Sequence, residues 1–208
     1  MDTIIYKKMK NIMSKVRIYK ISDSVTFAKV KERHGIYSNM AGNLCLFVND
    51  VNISSSEALY QACKFPLFPK IQHEILSQKN AMSAKKVARK YEAFVRQDWN
   101  EIKFKVMRWC LQVKLLQNWE IFANELIASA DKPIVEYSKK NSVWGAMPNG
   151  NGTLSGVNAL GRLLMELRME INLQNPIKKV LPPNIDGFLL YGNKIETTYA
   201  PDITLEDL

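Results

Sequence analysis

Apolar and polar positions alternate only briefly in this chain before a helical spacing takes over. Val25 and Phe27 alternate with polar neighbours and predict a short strand ending near Arg33, His34 and Gly35. Residues 44–48 and 51–53 are apolar-rich and flank Asn49 and Asp50, residue types that tolerate positive φ, so a hairpin is expected there. Ser54 and Glu57 then have the spacing of a capping box, opening a helix that Pro66 closes after Phe65. Two shorter helices are expected over 69–78 and 83–91. The longest begins at Asp98, where Ile102, Val106, Trp109, Val113 and Leu116 form one apolar stripe. Phe122 and Leu126 mark a further helix that stops before Pro133, and Ile134-Val135 a buried strand. A last helix, from about residue 157, places Leu160, Leu163, Leu164 and Leu167 on one side, with Arg162 and Glu166 on another. Beyond Pro176 a hairpin is expected over 188–195 around Gly192-Asn193, followed by an acidic tail. The pattern predicts a predominantly helical α+β fold in a single domain over 25–175, with a small early β hairpin. A basic lead occupies 1–24, and 176–208 form a C-terminal extension packed on the domain.

Charge narrows the partners without changing that picture. Lys and Arg number 29 against 20 Asp and Glu, a net +9 that favours phosphorylated or nucleic-acid ligands. Lys7, Lys8, Lys10, Lys15, Arg17 and Lys20 make the first twenty residues basic, and they read as a solvated, poorly packed lead in preference to a nucleic-acid-binding arm. Lys85, Lys86, Arg89 and Lys90 form a second basic cluster, solvated or facing phosphate. Cys45, Cys63 and Cys110 are odd in number and widely spaced among apolar residues, so buried thiols in a reducing cytoplasm are expected. No run is apolar enough for a membrane span or a signal peptide, and no ligand spacing suggests a metal or other cofactor.

One stretch resists explanation by packing. Residues 141–168 hold Gly145, Gly150, Gly152 and Gly156 in an Asn-rich loop that runs into the last helix. Glycines allow close backbone approach, and a helix N-terminus offers free N–H groups and a positive dipole end, which together suit a phosphate. A flexible surface loop with an ordinary helix start accounts for the same residues equally well. Neither a dinucleotide fingerprint nor a P-loop is present.

The chain also carries blocks in a fixed order: Gly35-Ile36-Tyr37-Ser38-Asn39-Met40-Ala41, residues 56–65 (Ser-Glu-Ala-Leu-Tyr-Gln-Ala-Cys-Lys-Phe), Asp98-Trp99 with Met107, Lys114 with Asn118, Ile134-Val135-Glu136, Trp144-Gly145, and residues 158–168. Together they resemble the NADAR, or YbiA-like, family over roughly residues 26–170. The resemblance implies a mainly helical α+β domain that cleaves N-glycosidic bonds of ribose-phosphate or ADP-ribose compounds. The wording of the first two blocks, with residues 107–110, is most similar to members that act as antitoxins beside DarT-like toxins and remove ADP-ribose from guanine in DNA. The partners so implied are ADP-ribose or ADP-ribosylated nucleic acid and a cognate DarT-like toxin system; that no membrane is a partner is expected from the lack of a long apolar run.

Cleaving a ribose–nitrogen bond passes through an oxocarbenium-like state, which calls for a carboxylate near the anomeric carbon, an oriented water and a flat surface for the base. Spacing alone makes Glu57 a capping residue; the resemblance makes it the carboxylate. Trp99 and Trp144 are the candidate stacking surfaces. Gly35, Ser38, Asn39, Gly145 and Asn158 are candidates for ribose or phosphate contacts, and Arg33 and Arg168 for clamping pyrophosphate. Lys64 and Lys114 are amines able to form a Schiff base with an opened ribose. Asn141 stands where the resembling proteins commonly carry an acid, so it belongs with the catalytic candidates while raising the prospect of a slow enzyme or an ADP-ribose or NAD sensor. In riboflavin-pathway relatives the substrate is instead a phosphoribosylamino pyrimidine.

Overall fold

The computed structural model of the protein describes residues 15–173 and 177–201; the acidic tail and most of the basic lead lie outside the described residues. In chain order the elements are β1 (Arg17–Lys20), β2 (Val25–Phe27), a 3-10 turn (Gly35–Tyr37), β3 (Leu46–Val48) and β4 (Val51–Ile53). Helices α1 (Ser56–Ala62), α2 (Pro69–Leu76) and α3 (Ala81–Lys90) follow, then a second 3-10 turn (Glu92–Phe94), α4 (Trp99–Gln117) and α5 (Trp119–Ala128). After them come β5 (Ile134–Glu136), β6 (Met147–Pro148), β7 (Thr153–Gly156), α6 (Ala159–Leu173), β8 (Lys179–Val180), β9 (Leu189–Leu190), β10 (Asn193–Lys194) and β11 (Thr198–Tyr199). The fold is α+β and mainly helical, as the pattern predicts. It divides into two compact units, one built from the described residues through Ser38 with 125–173, the other from 39–124 with the described residues after 174.

In the first unit β1 and β6 flank β7 in an antiparallel sheet, while β2 runs parallel to β5. The pairing of β1 corrects the reading of residues 17–20 as unpacked lead: Tyr19 is buried with Val135, Ala146 and Leu154. The stretch expected as a glycine-rich loop is a β hairpin in which Gly150, Asn151 and Gly152 turn the chain at positive φ. Helix α6 buries Leu160, Leu163, Leu164 and Leu167 as expected, but Arg162 is also buried, its Nη2 donating to the Lys15 carbonyl at 2.6 Å. Gly161 allows α6 to meet β5, since a Cβ there would stand 2.1 Å from the Ile134 carbonyl oxygen. Gly161→Ala is therefore expected to destabilise the protein by about 1–3 kcal/mol, despite alanine's better helix propensity. Urea unfolding measures this, and an unshifted midpoint would mean that the helix and strand are not in register through this glycine.

The second unit is the helical one. Asn49 and Asp50 turn the β3–β4 hairpin at φ 48° and 61°, the mirror-image turn that follows strand twist. The Gln117 side chain imitates a neighbouring strand, accepting from Phe47 N–H and donating to Phe47 O, both at 2.8 Å. Helix α4 was expected to carry one apolar stripe. Instead its second half is buried on several sides, with Met107, Cys110, Leu111, Lys114 and Leu115 enclosed beside the stripe residues Trp109, Val113 and Leu116. The late hairpin forms between β9 and β10, but Tyr191 and Gly192 make its turn, one position earlier than expected.

Candidate active site

The chemistry converges at the start of α1. Its cap is Ser55, whose Oγ accepts from Ala58 N–H at 3.2 Å, rather than the Ser54 of the expected capping box. That shift by one residue removes the structural duty assigned to Glu57. Glu57 is 2 % exposed and its N–H donates to the Asn39 carbonyl at 2.8 Å. One carboxylate oxygen accepts from Asn39 Nδ2; the other accepts from Gln61 Nε2 at 2.8 Å and faces Lys85 Nζ at 3.6 Å. A buried carboxylate is tolerated when it is hydrogen-bonded and partly balanced in charge, and here both conditions hold. Its placement in the first turn adds the favourable helix dipole.

One helical turn further, Tyr60 packs against Trp99 with ring centroids 4.9 Å apart. Lys64 Nζ lies 5.7 Å and 5.5 Å from the two ring centroids, within cation–π range of each. Burial lowers the Lys64 pKa, the Glu57 charge opposing the shift and Lys85 adding to it. Burial, reinforced by Glu57, pushes the Tyr60 phenol well above its usual range, so it stays a neutral hydrogen-bonding group. Lys114 is fully buried under the Phe122 ring, 4.2 Å from its centroid, and desolvation lowers its pKa to about 7. Cys63 and Cys110 are buried free thiols, and burial followed by the neighbouring Cys63 raises the Cys110 pKa. Cys45 departs from expectation in being exposed.

The remaining sequence candidates sit in the first unit, several of them in structural roles. Asn158, buried at φ 52°, donates its amide N–H to the Ile134 carbonyl at 2.8 Å and accepts from Glu136 N–H at 3.0 Å, clamping β5. Arg168 Nη1 donates to Ser129 Oγ at 2.6 Å and to the Lys132 carbonyl at 2.9 Å. Gly145 and Gly156 approach too closely for a Cβ: one at Gly156 would meet the Gly145 carbonyl oxygen at 2.5 Å. The N–H groups opening α6 are already engaged, Ala159 donating to Val143 O at 2.9 Å and Leu160 to Trp144 O at 3.0 Å. The phosphate-cradle reading of this stretch thus gives way to packing. Asn141 Oδ1 accepts from the N–H groups of Val143 and Trp144, both at 3.0 Å, a turn that an aspartate would form equally well. Trp144 is half-buried, Arg33 exposed, and Gly35 and Ser38 buried.

Gln61, Tyr60 and Lys85 were not singled out from sequence as functional. Gln61 was legible, since it stands four residues after Glu57 on the same helix face. Lys85 was visible only as one charge in a basic run, and its approach to Glu57 is a tertiary contact. Among the described residues no three His, Cys, Asp or Glu side chains gather as a metal site.

Comparison with known proteins places this geometry in a family. A riboflavin biosynthesis protein of Vibrio vulnificus is 32 % identical over 184 residues, covering 85 % of this chain and 48 % of that protein, so the chain spans about half of that relative's length. The N-glycosidase YbiA of Escherichia coli K12 is 32 % identical over 150 residues, covering 72 % of this chain and 89 % of YbiA. The NMR structure of E. coli YbiA matches 73 % of this chain and 86 % of its own, at 32 % identity and a TM-score of 0.62. With the NADAR domain matched over residues 10–172, the chain belongs to the NADAR family.

Proposed function

We propose that the protein is an N-glycosidase whose substrate is a phosphoribosylamino pyrimidine, with Glu57 as the carboxylate that stabilises the positively charged ribose. The observation that carries this reading is a buried carboxylate held by two side-chain amides beside an aromatic pair, the minimal kit for an oxocarbenium-like transition state. The relatives named N-glycosidase and riboflavin biosynthesis protein support it. In the reaction the C1′–N bond breaks and its electron pair leaves with the nitrogen, which takes up a proton. Water bonds to C1′ and releases a proton. Tyr60 and Trp99 supply the flat surface, and Asn39 and Gln61 fix the carboxylate. Lys64, whose Nζ lies over the Tyr60 and Trp99 rings, is placed for a covalent variant: the amine bonds to C1′ as the C1′–N bond breaks, the ring opens with its oxygen taking a proton from the amine, and water then hydrolyses the Schiff base.

Removal of ADP-ribose from guanine in DNA, in an antitoxin role, is the second reading, and the net charge of +9 favours it. Incubation with each substrate in turn separates the two. Release of ribose 5-phosphate and the free aminopyrimidine, at a kcat/KM at least tenfold above that for ADP-ribosylated DNA, is expected. The opposite preference would transfer the assignment to DNA, and binding of ADP-ribose with no turnover of either substrate would make the protein a sensor.

A further inference from the structure

The first unit contains a cavity of about 860 Å³ that the glycosidase chemistry does not use. It is bounded by β2, by the segment through Arg33 and His34, by the end of α5 and by Tyr137 and Lys139 after β5. Its lining carries four cations, Lys29, Arg33, Lys132 and Lys139, against one acid, Glu32, a net formal charge of +3. Glu32 is paired with Lys29 at 3.0 Å, and the nearby Glu125 with His34 at 2.7 Å. Arg33, Lys132 and Lys139 form no ion pair among the described residues. The positive charge is thus left facing the cavity.

The wall that carries these charges is built rather than incidental. Arg168, mostly buried behind it, ties the turn bearing Lys132 through Ser129 Oγ and the Lys132 carbonyl. Tyr137 N–H donates to the Phe27 carbonyl at 2.8 Å, joining the two sides of the cavity. The negative end of α5, which would repel an anion, is blunted: Leu126 O accepts from Ser129 N–H and Oγ, and Ile127 O from Ala130 N–H. The volume lies within the range that holds a nucleotide-sized group, roughly 300–1,000 Å³.

We infer that this cavity is a phosphate-binding site, in which Arg33, Lys132 and Lys139 hold a phosphoryl group of a nucleotide or of a nucleic-acid backbone. Arg33 is also one of the residues expected from sequence to clamp pyrophosphate, but the cavity shares no residue with the Glu57 cluster and is read out by equilibrium binding, without turnover. The test uses the whole chain with Arg33, Lys132 and Lys139 all changed to Ala, and as control Lys70, Lys79 and Lys86 changed to Ala. The control removes the same charge from exposed positions of the second unit. Binding of inorganic pyrophosphate, ribose 5-phosphate and a fluorescein-labelled single-stranded 12-nucleotide DNA is measured between 50 and 200 mM salt.

The cavity variant is expected to lose at least tenfold in affinity for one or more of these probes, the control less than threefold. If DNA is the source of the phosphate, the slope of log K against log salt falls in magnitude by about 2, at ~0.7 per neutralised phosphate. If a small molecule is the source, the loss appears with pyrophosphate or ribose 5-phosphate and the DNA slope stays unchanged. Equal losses in the two variants would reduce the effect to overall charge and overturn the site, as would undiminished binding of every probe by the cavity variant. Far-UV circular dichroism checks that both variants fold, and Arg33→Lys with Lys132→Arg, which keeps the charge, is expected to bind within about threefold of the wild type.

Discussion

Glu57→Gln is expected to lower kcat by on the order of 10²-fold or more while leaving KM within a few fold. Glutamine keeps the size and the acceptor oxygen but removes the charge that offsets the oxocarbenium ion, an interaction stronger in the transition state than with bound substrate. A 10²-fold loss corresponds to about 2.7 kcal/mol of transition-state stabilisation. The substitution also disturbs the ground state, because Asn39 and Gln61 both donate to the native carboxylate and a single amide oxygen cannot replace both acceptors. A stability cost of about 1–3 kcal/mol follows, so rates are compared well below the melting transition of the variant. Ser55→Ala supplies the contrast, removing the helix cap at a cost of roughly 1 kcal/mol without touching the carboxylate. It should lower the melting temperature and spare kcat. A Glu57→Gln protein with undiminished kcat would make Glu57 a structural anchor for Asn39 and remove it from the chemistry.

The fold was legible wherever the physics is local. Asn49-Asp50 marked the hairpin, because turn chemistry acts within a few residues, whereas α1 stops at Ala62, three residues short of the Phe65 that Pro66 suggested, and α5 at Ala128, well before Pro133. Strand β1 was missed for the opposite reason: Arg17–Lys20 carries a basic, weakly alternating sequence and is a strand only because β7 lies beside it. Helix α4 likewise looked one-sided, although neighbouring elements cover several of its faces. At the site, spacing alone made Glu57 a cap, and only the three-dimensional choice of Ser55 over Ser54 releases it. The glycine-rich stretch was the reverse case. Its composition suggested a ligand cradle, but Gly145 and Gly156 answer to backbone contact and Gly150 and Gly152 to a turn, neither of which a linear spacing reveals. Asn39 and Gln61 lie within recognisable blocks, yet that both amides meet on one carboxylate is a property of the fold.

Lys114 should make one part of the stability rise with pH, against the opposite effect of Tyr60 and Cys110. Desolvation holds its pKa at about 7 in the folded chain against the ordinary 10.5, so between these values the unfolded chain carries a proton that the folded chain lacks. The Lys114 contribution to stability therefore rises with pH through that window. Below pH 7 the lysine is charged in both states, and the cost of burying that charge is borne in full. The distance between these two values sets an upper figure of about 4–5 kcal/mol between the two ends, at roughly 1.36 kcal/mol per pH unit. Lys114→Met keeps the length and packing beside Phe122 without the charge, and the stability of the variant relative to the wild type should be higher at low pH than at high pH. The measurement is urea unfolding of both proteins at pH 6.5, 8 and 9.5. Taking the difference between them cancels the titration of Tyr60 and Cys110, which both proteins share. A variant-minus-wild-type difference that falls as pH rises is the expected result, since deprotonation relieves the wild type alone. A constant difference would mean that the amine is satisfied in its charged form. Borohydride reduction of the wild type in the presence of substrate tests the other lysine of lowered pKa: the hydrolytic route leaves no adduct, whereas a ribosyl group trapped on Lys64 would identify the covalent one.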